Sequence, residues 1–456
     1  MKFSFLILAL AALTSLPQLS HGAARGGHAN HENRPQLEDP SFIQGVPAEL
    51  EDLDPEMTSV ELRARLDSLR QHQNEAELSE RQFDAPLEEV LAAGKRNLEW
   101  ISFINQARKS TGQQSELVLN SPATQAAFPI ESPSVSNAKL VMARFHSLMN
   151  AVPAEMGSVL TGAGAYPKEP PLALSDEQFL ELARRLDKIY SSASRWLLEE
   201  PFLWRYQALA WKDVRGFYFL SRTLELESKL THYRDLDSEA RADLKTRLVG
   251  QCLNAREGRV PCQKHFSDSL AKEGNALAFY QLYHLKAQAV FDSFFIIKNP
   301  RKDTNWDGTS APEIFTLPFL KGETSAVQTF LLNIEDEWRW VNWHLRLNFA
   351  DLPPLGAESI PHLTFQPGAT AHVNGLGGNQ ITMDSNRPLT DYAARWTIRH
   401  EFGHVVGFPD CYQEFYDEDQ QAMINYQLDT TNLMCSRQGK FQERHYVELK
   451  RVYGGL

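Results

Sequence analysis

The chain has 456 residues, 42% hydrophobic and 23% charged, so it can bury a substantial core and is neither disordered throughout nor fibrous. Its length fits two or three domains at roughly 150 residues each. Acidic side chains outnumber basic ones, 58 to 46, and the formal charge of -12 argues against nucleic acid or an anionic membrane surface as a partner. Four cysteines cannot build a disulfide scaffold but permit two bridges in an oxidising compartment.

Met1-Lys2 followed by the apolar run Phe3 to Leu13, with small residues around Gly22 to Ala24, predicts a signal peptide over residues 1–24. Export to the periplasm or the exterior follows. A membrane span needs about 20 apolar residues, which no segment supplies, and no cysteine follows the cleavage region to carry a lipid. Residues 25–57 are polar and Pro-rich and read as a flexible leader. Thr58 with Glu61 has capping-box spacing, and Leu62, Leu66 and Leu69 then recur at helical intervals. Residues 121–137 and 152–174 carry Pro, Gly and Ser clusters and read as loops. Ser175 with Gln178 repeats the capping device before a face of Phe179, Leu182, Leu186, Ile189 and Tyr190. Residues 58–290 thus form a mainly helical region, either a pro-segment or a module that recruits substrate or a partner.

Beyond residue 290 strands and helices alternate, so the fold class is α+β. Phe294 to Ile297 and Ile314 to Leu320 are β-like, and a helix from about Ser325 presents Phe330, Ile334, Trp338 and Val341. His344 to Phe349 alternates as a strand does, as does His362 to Phe365, extending toward Ala371 to Val373. Gln380, Ile381, Thr382, Met383 and Asp384 give a short strand, readable as an edge or hairpin arm. Thr390 can cap the next helix, with Asp391 in its first turn.

That helix carries HEFGHVVGFPD, residues 400–410. His400 and His404 lie four apart on one face, so both imidazoles reach a single ion. Glu401 projects beside them, placed to take a proton from water on the metal. Gly407 permits a left-handed helix end, Pro409 cannot continue the helix, and the chain turns back so that Asp410 supplies a third ligand. Three protein ligands and one open corner are the arrangement of a catalytic zinc ion. With 14 histidines in the chain, a random HExxH is expected about 0.03 times, and the extended pattern about 0.0001 times.

HEFGHVVGFPD resembles the zinc helix of the metzincin metallopeptidases, and Asn432-Leu433-Met434-Cys435 resembles their Met-turn. The aspartate at the third ligand position is similar to the snapalysin branch. The resemblance covers about residues 291–456. It implies a metzincin-like domain with the order strand, helix, strands, edge strand, zinc helix and Met-turn. It also implies that His400, His404 and Asp410 bind zinc, that Glu401 is the base, and that Met434 underlies the site. Many relatives place a tyrosine two residues after the methionine, where this chain has Ser436.

The expected activity is an exported zinc endopeptidase acting on protein or peptide, with water on the zinc as nucleophile and Glu401 as general base. Extended substrate could add a strand to Gln380 to Asp384. The alternative is an exported binding protein whose zinc is structural. Cys411 beside Asp410 and Cys435 beside Met434 suit a bridge, as do Cys252 and Cys262, although four cysteines allow three connectivities. Cys262 as a thiolate held on the zinc is a further reading. Asp303, Asn305 and Asp307 have calcium-loop spacing, but position twelve is Ile314, and a polar turn is the competing reading. Glu414, Asp417, Glu418 and Asp419 read as a solvated loop, and Trp338 as core.

Overall fold

The computed structural model describes residues 87–113, 115–255, 258–351 and 360–455; the expected signal peptide, the expected leader and the expected helix start at Thr58 lie outside them. The described part is mixed α/β with a helical N-terminal region. That region contains α1 (87–110), a short strand β1 (Ser134–Ser136), α2 (Ala138–Ala151), α3 (Ala154–Leu160) and the long α4 (Asp176–Glu199). It continues through α5 (Leu203–Leu209), α6 (Arg215–Ser221), α7 (Leu226–Thr231), α8 (Ser238–Leu253), α9 (Arg259–Glu273) and α10 (Leu277–Asp292). The capping box at Ser175 and Gln178 forms, and Phe179, Leu186, Ile189 and Tyr190 are buried as the 3.6-residue period requires. Their partners come from α1 and α2, including Leu87, Trp100, Val141 and Phe145. The stretches read as loops hold two further elements, β1 and α3, too short to leave a periodic signal.

The C-terminal part begins with β2 (Asn305–Asp307), β3 (Glu313–Leu320) and α11 (Ser325–Glu337). Then come β4 (Arg339–Trp340), β5 (Trp343–Ala350), β6 (His362–Gln366), β7 (His372–Val373) and β8 (Gln380–Asp384). Phe294 and Phe295 lie in a helical turn, and the expected strand there does not form. On α11 the buried face is Phe330, Leu331 and Ile334; Trp338 caps its end, while Val341 lies past it and is exposed. One sheet runs β2-β3-β5-β4, with β3 and β5 parallel, and another runs β6-β8-β7. Leu320 N donates to Pro361 O at 2.8 Å, so the two sheets abut.

Within the second sheet β8 pairs parallel with β6 and antiparallel with β7, which corrects the expectation for Gln380, Ile381, Thr382, Met383 and Asp384. This strand is the middle one, its ladder occupied on both sides, and Ile381, Thr382 and Met383 are buried. The outer strands are β6 and β7. Alternation in the sequence could not separate β7 from β8, because both short strands flank the same glycine turn.

After β8 come α12 (Tyr392–Val405), β9 (Tyr412–Asp417), β10 (Ala422–Gln427) and α13 (Glu443–Tyr453). The cap of α12 is Asp391, not Thr390: its carboxylate accepts from Ala393 N at 2.8 Å. The strands β9 and β10 form a hairpin that β1 extends, Ser134 opposite Asn425 and Ser136 opposite Met423. Residue 290 is therefore no structural divide. Met423 packs into the core of α1, α2 and α4, and Arg387, largely buried, pairs with the buried Asp187 at 2.7 Å. Both expected disulfides are present, Cys252–Cys262 and Cys411–Cys435. Cys262 is consequently not a thiolate available to a metal. No helix among the described residues is long and apolar enough to cross a membrane.

Candidate metal centre

α12 ends where its sequence says it must. Gly407 adopts φ 91°, a conformation that costs an L side chain, and a Cβ there would sit 2.6 Å from Asn299 O. The chain then reverses through Phe408 and Pro409 and returns Asp410 to the face that carries the two histidines.

The three ligand atoms converge. His400 Nε2 and His404 Nε2 are 3.2 Å apart, and Asp410 Oδ1 lies 3.1 Å from the first and 3.4 Å from the second. Atoms arranged tetrahedrally on arms of about 2.0–2.1 Å stand about 3.4 Å apart, so these spacings fit a zinc ion. The opposite nitrogens fix the tautomers. His400 Nδ1 lies 3.0 Å from Leu433 O and His404 Nδ1 lies 2.8 Å from Phe408 O. A carbonyl can only accept, so each Nδ1 carries the proton and each Nε2 of a neutral ring presents a lone pair. Two lone pairs and a carboxylate oxygen facing one another at contact distance call for a positive charge among them. The same demand for positive charge shows in the titration: burial opposes charge on His404, but Asp410 beside it prevails and raises its pKa to about 9, so a proton competes with a metal ion for that Nε2. Burial likewise disfavours an ionised Asp410, yet the two imidazoles hold its carboxyl far below the usual range.

Asp410 Oδ1 and Glu401 Oε2 are buried and accept no hydrogen bond. An ionisable oxygen left in that condition costs several kcal/mol unless a cation or a polar ligand meets it. Among the described residues His400, His404 and Asp410 form the one group of three or more side chains able to hold a metal.

The floor is the turn at Met434. A Cβ on Gly403 would meet Met434 Sδ at 2.2 Å, so the helix rests on the thioether through the only residue type that permits it. The turn is braced by Asn432, whose Oδ1 accepts from Met434 N at 2.8 Å and lies 2.9 Å from His445 Nε2. Gln442 N donates to His445 Nδ1, which makes Nε2 the donor to Asn432. The Cys411–Cys435 bridge joins the residue after Asp410 to the residue after Met434. Trp396, one turn before His400, stacks on that imidazole with centroids 4.8 Å apart.

Several of these partners escaped the sequence reading. Gly403 stood inside the motif, Trp396 at helical spacing from His400, and Asn432 beside Met434. His445 and Arg195 gave no signal, being distant in sequence from what they touch. Glu414, expected in a solvated loop, is largely buried and paired with Arg195.

Asp303, Asn305 and Asp307 are not brought together as cation ligands. Asp303 pairs with Arg301 at 2.6 Å, Asn305 and Asp307 lie in β2, and the Asp307 carboxylate accepts from Thr309 N at 2.9 Å and from Ser310. The polar turn is what forms, its hydrogen bonds from Ser310 and Thr309 holding Asp307 down to about 2. Trp338 and Trp343 are core residues, the first edge-to-face with Phe402 and the second stacked on Phe441.

Comparison with protein-family models, with curated proteins and with solved structures gave no match.

Proposed function

We propose that this chain is an exported zinc endopeptidase whose reacting centre is His400, His404, Asp410 and Glu401. The observation that carries the reading is the convergence of two Nε2 lone pairs and the Asp410 carboxylate at 3.1–3.4 Å, beside a buried Glu401 oxygen that no protein donor satisfies. The order of elements from β3 through α12 to the turn at Met434 supports the metzincin-like resemblance, as does the packing of that turn under Gly403. Two disulfides are compatible with an oxidising, extracellular setting.

Zinc held by the two imidazoles and Asp410 would polarise an attacking water and the scissile carbonyl. Glu401 takes the water proton as the oxygen attacks, then passes it to the departing amine. Asp410 adds a negative charge to the ligand set and ties the centre to the floor through Cys411. An extended peptide adds to β7, at His372 and Val373, an outer strand of its sheet.

The test is degradation of casein by the secreted protein, with and without a chelator, alongside Glu401→Gln. The expected outcome is loss of at least 10²-fold in kcat for the variant with one zinc still bound, and full loss on chelation. Equal activity in wild type and variant, or activity indifferent to chelator, refutes the enzyme.

A further inference from the structure

Beside the ligand cluster lies a phenol that neither the motif nor its resemblance supplies. Tyr412 opens β9, two residues beyond Asp410, and its half-buried ring lies nearly parallel to His400, at 16° with centroids 6.5 Å apart. Its hydroxyl is gripped from the helical layer: Arg195 of α4 donates to Tyr412 Oη at 3.4 Å and stacks its guanidinium 5.4 Å from the ring centre. Arg195 is itself fixed by two largely buried carboxylates, Glu199 at 2.6 Å and Glu414. Tyr412 Oη thus accepts a hydrogen bond from a cation and donates its own proton to no acceptor among the described residues. A phenol polarised in this way, at the rim of a site where an anion develops, is a hydrogen-bond donor in waiting.

Resting on the peptidase reading above, we infer that Tyr412 is a further catalytic residue, donating its O–H to the oxyanion formed when water adds to the scissile carbonyl, and that Arg195 positions it. In that step the water oxygen bonds to the carbonyl carbon, its proton goes to Glu401, and the π pair of the C=O moves onto the carbonyl oxygen. Tyr412 hydrogen-bonds that oxygen without surrendering its proton. The pair then returns to re-form the carbonyl as the C–N bond breaks, and Glu401 delivers its proton to the amine. The sum is peptide plus water giving acid plus amine. Because Arg195 belongs to α4, the helical layer is then part of the working enzyme and not a discarded segment.

The experiment compares wild type, Tyr412→Phe and, as control, Tyr416→Phe on the same strand. Tyr412→Phe keeps the ring beside His400 and removes only the hydroxyl. The expected result is a fall in kcat on the order of 10²-fold with KM unchanged. Calorimetric titration with a phosphinic peptide, a tetrahedral analogue of the adduct, should show affinity weakened by a similar factor while zinc stoichiometry stays at one. Tyr416→Phe should change neither. Wild type that cleaves and a Tyr412→Phe variant within about threefold of it in kcat and analogue affinity overturn this inference alone. Loss of zinc from Tyr412→Phe overturns it also, by assigning the hydroxyl a structural role. Absence of any chelator-sensitive cleavage by wild type instead overturns the peptidase reading on which it stands.

Discussion

Replacing Gly403 with alanine puts the contact between α12 and its floor to the test. The added carbon would lie 2.2 Å from Met434 Sδ, 2.6 Å from its Cε and 3.4 Å from the Trp338 ring. Ordinary contact is about 3.5–4.0 Å, so the sulfur must retreat by about 1.5 Å. It retreats into filled space: Met434, Leu433, Trp338 and Phe402 are all buried, and Cys435 is tethered to Cys411. Overpacking of this kind costs about 1–3 kcal/mol. Alanine in place of a helical glycine returns about 1 kcal/mol, leaving a net loss of about 0–2 kcal/mol. The displacement also moves Leu433, whose carbonyl holds His400 Nδ1, so zinc affinity should fall about 10-fold or more. The discriminating measurement is a cycle with Met434→Ala, by urea unfolding and by zinc titration against a competing chelator. With the thioether gone the steric cost disappears, and Gly403→Ala should become stabilising by about 1 kcal/mol. If Gly403→Ala shifts stability equally in both backgrounds and leaves zinc affinity unchanged, the helix does not rest on Met434 in the way argued.

Two further outcomes follow from the charges buried around the site. Arg387→Met strands the Asp187 carboxylate, which burial opposes and Arg387 now holds below the usual range; its remaining donor would be Asn120, so urea unfolding should show about 3–5 kcal/mol of lost stability. Replacing both partners by apolar residues should recover most of it, and a single-variant loss under about 1 kcal/mol would contradict the pairing. His445 is kept neutral by burial, reinforced by Arg444, down to about 3, whereas the unfolded chain takes up that proton near 6.5. The stability from keeping it neutral is thus present above about pH 6.5 and lost as pH falls toward 3, by up to about 1.4 kcal/mol per unit. Urea midpoints between pH 7 and 4 should fall less steeply for His445→Gln, and parallel curves would remove His445 from the account.

Much of the candidate site was legible in the sequence because its parts are local. His400, Glu401 and His404 share one helix, and the spacing of a helix is fixed by its backbone. Gly407 and Pro409 fix where that helix stops, which delivers Asp410. The capping box at Ser175 and the apolar face of α4 were readable for the same reason. Cys411 and Cys435 were readable as neighbours of residues already placed and Cys252 and Cys262 as the ends of a short loop, though three connectivities stood open until the structure paired them.

What lay beyond the sequence is what depends on partners far along the chain. Which short strand is central and which is the edge is a property of the sheet, so Gln380 to Asp384 moved inward and β7 took the rim. A three-residue strand such as Ser134–Ser136 has no period of its own and exists because β10 offers it a ladder. Tyr412, Arg195 and Glu414 become one network only when Arg195 reaches from α4 to β9, and His445 braces the floor only because α13 returns beneath it. Backbone geometry acts over a few residues and writes itself into spacing; burial and the pairing of charges are settled between surfaces, and no spacing records which surfaces will meet.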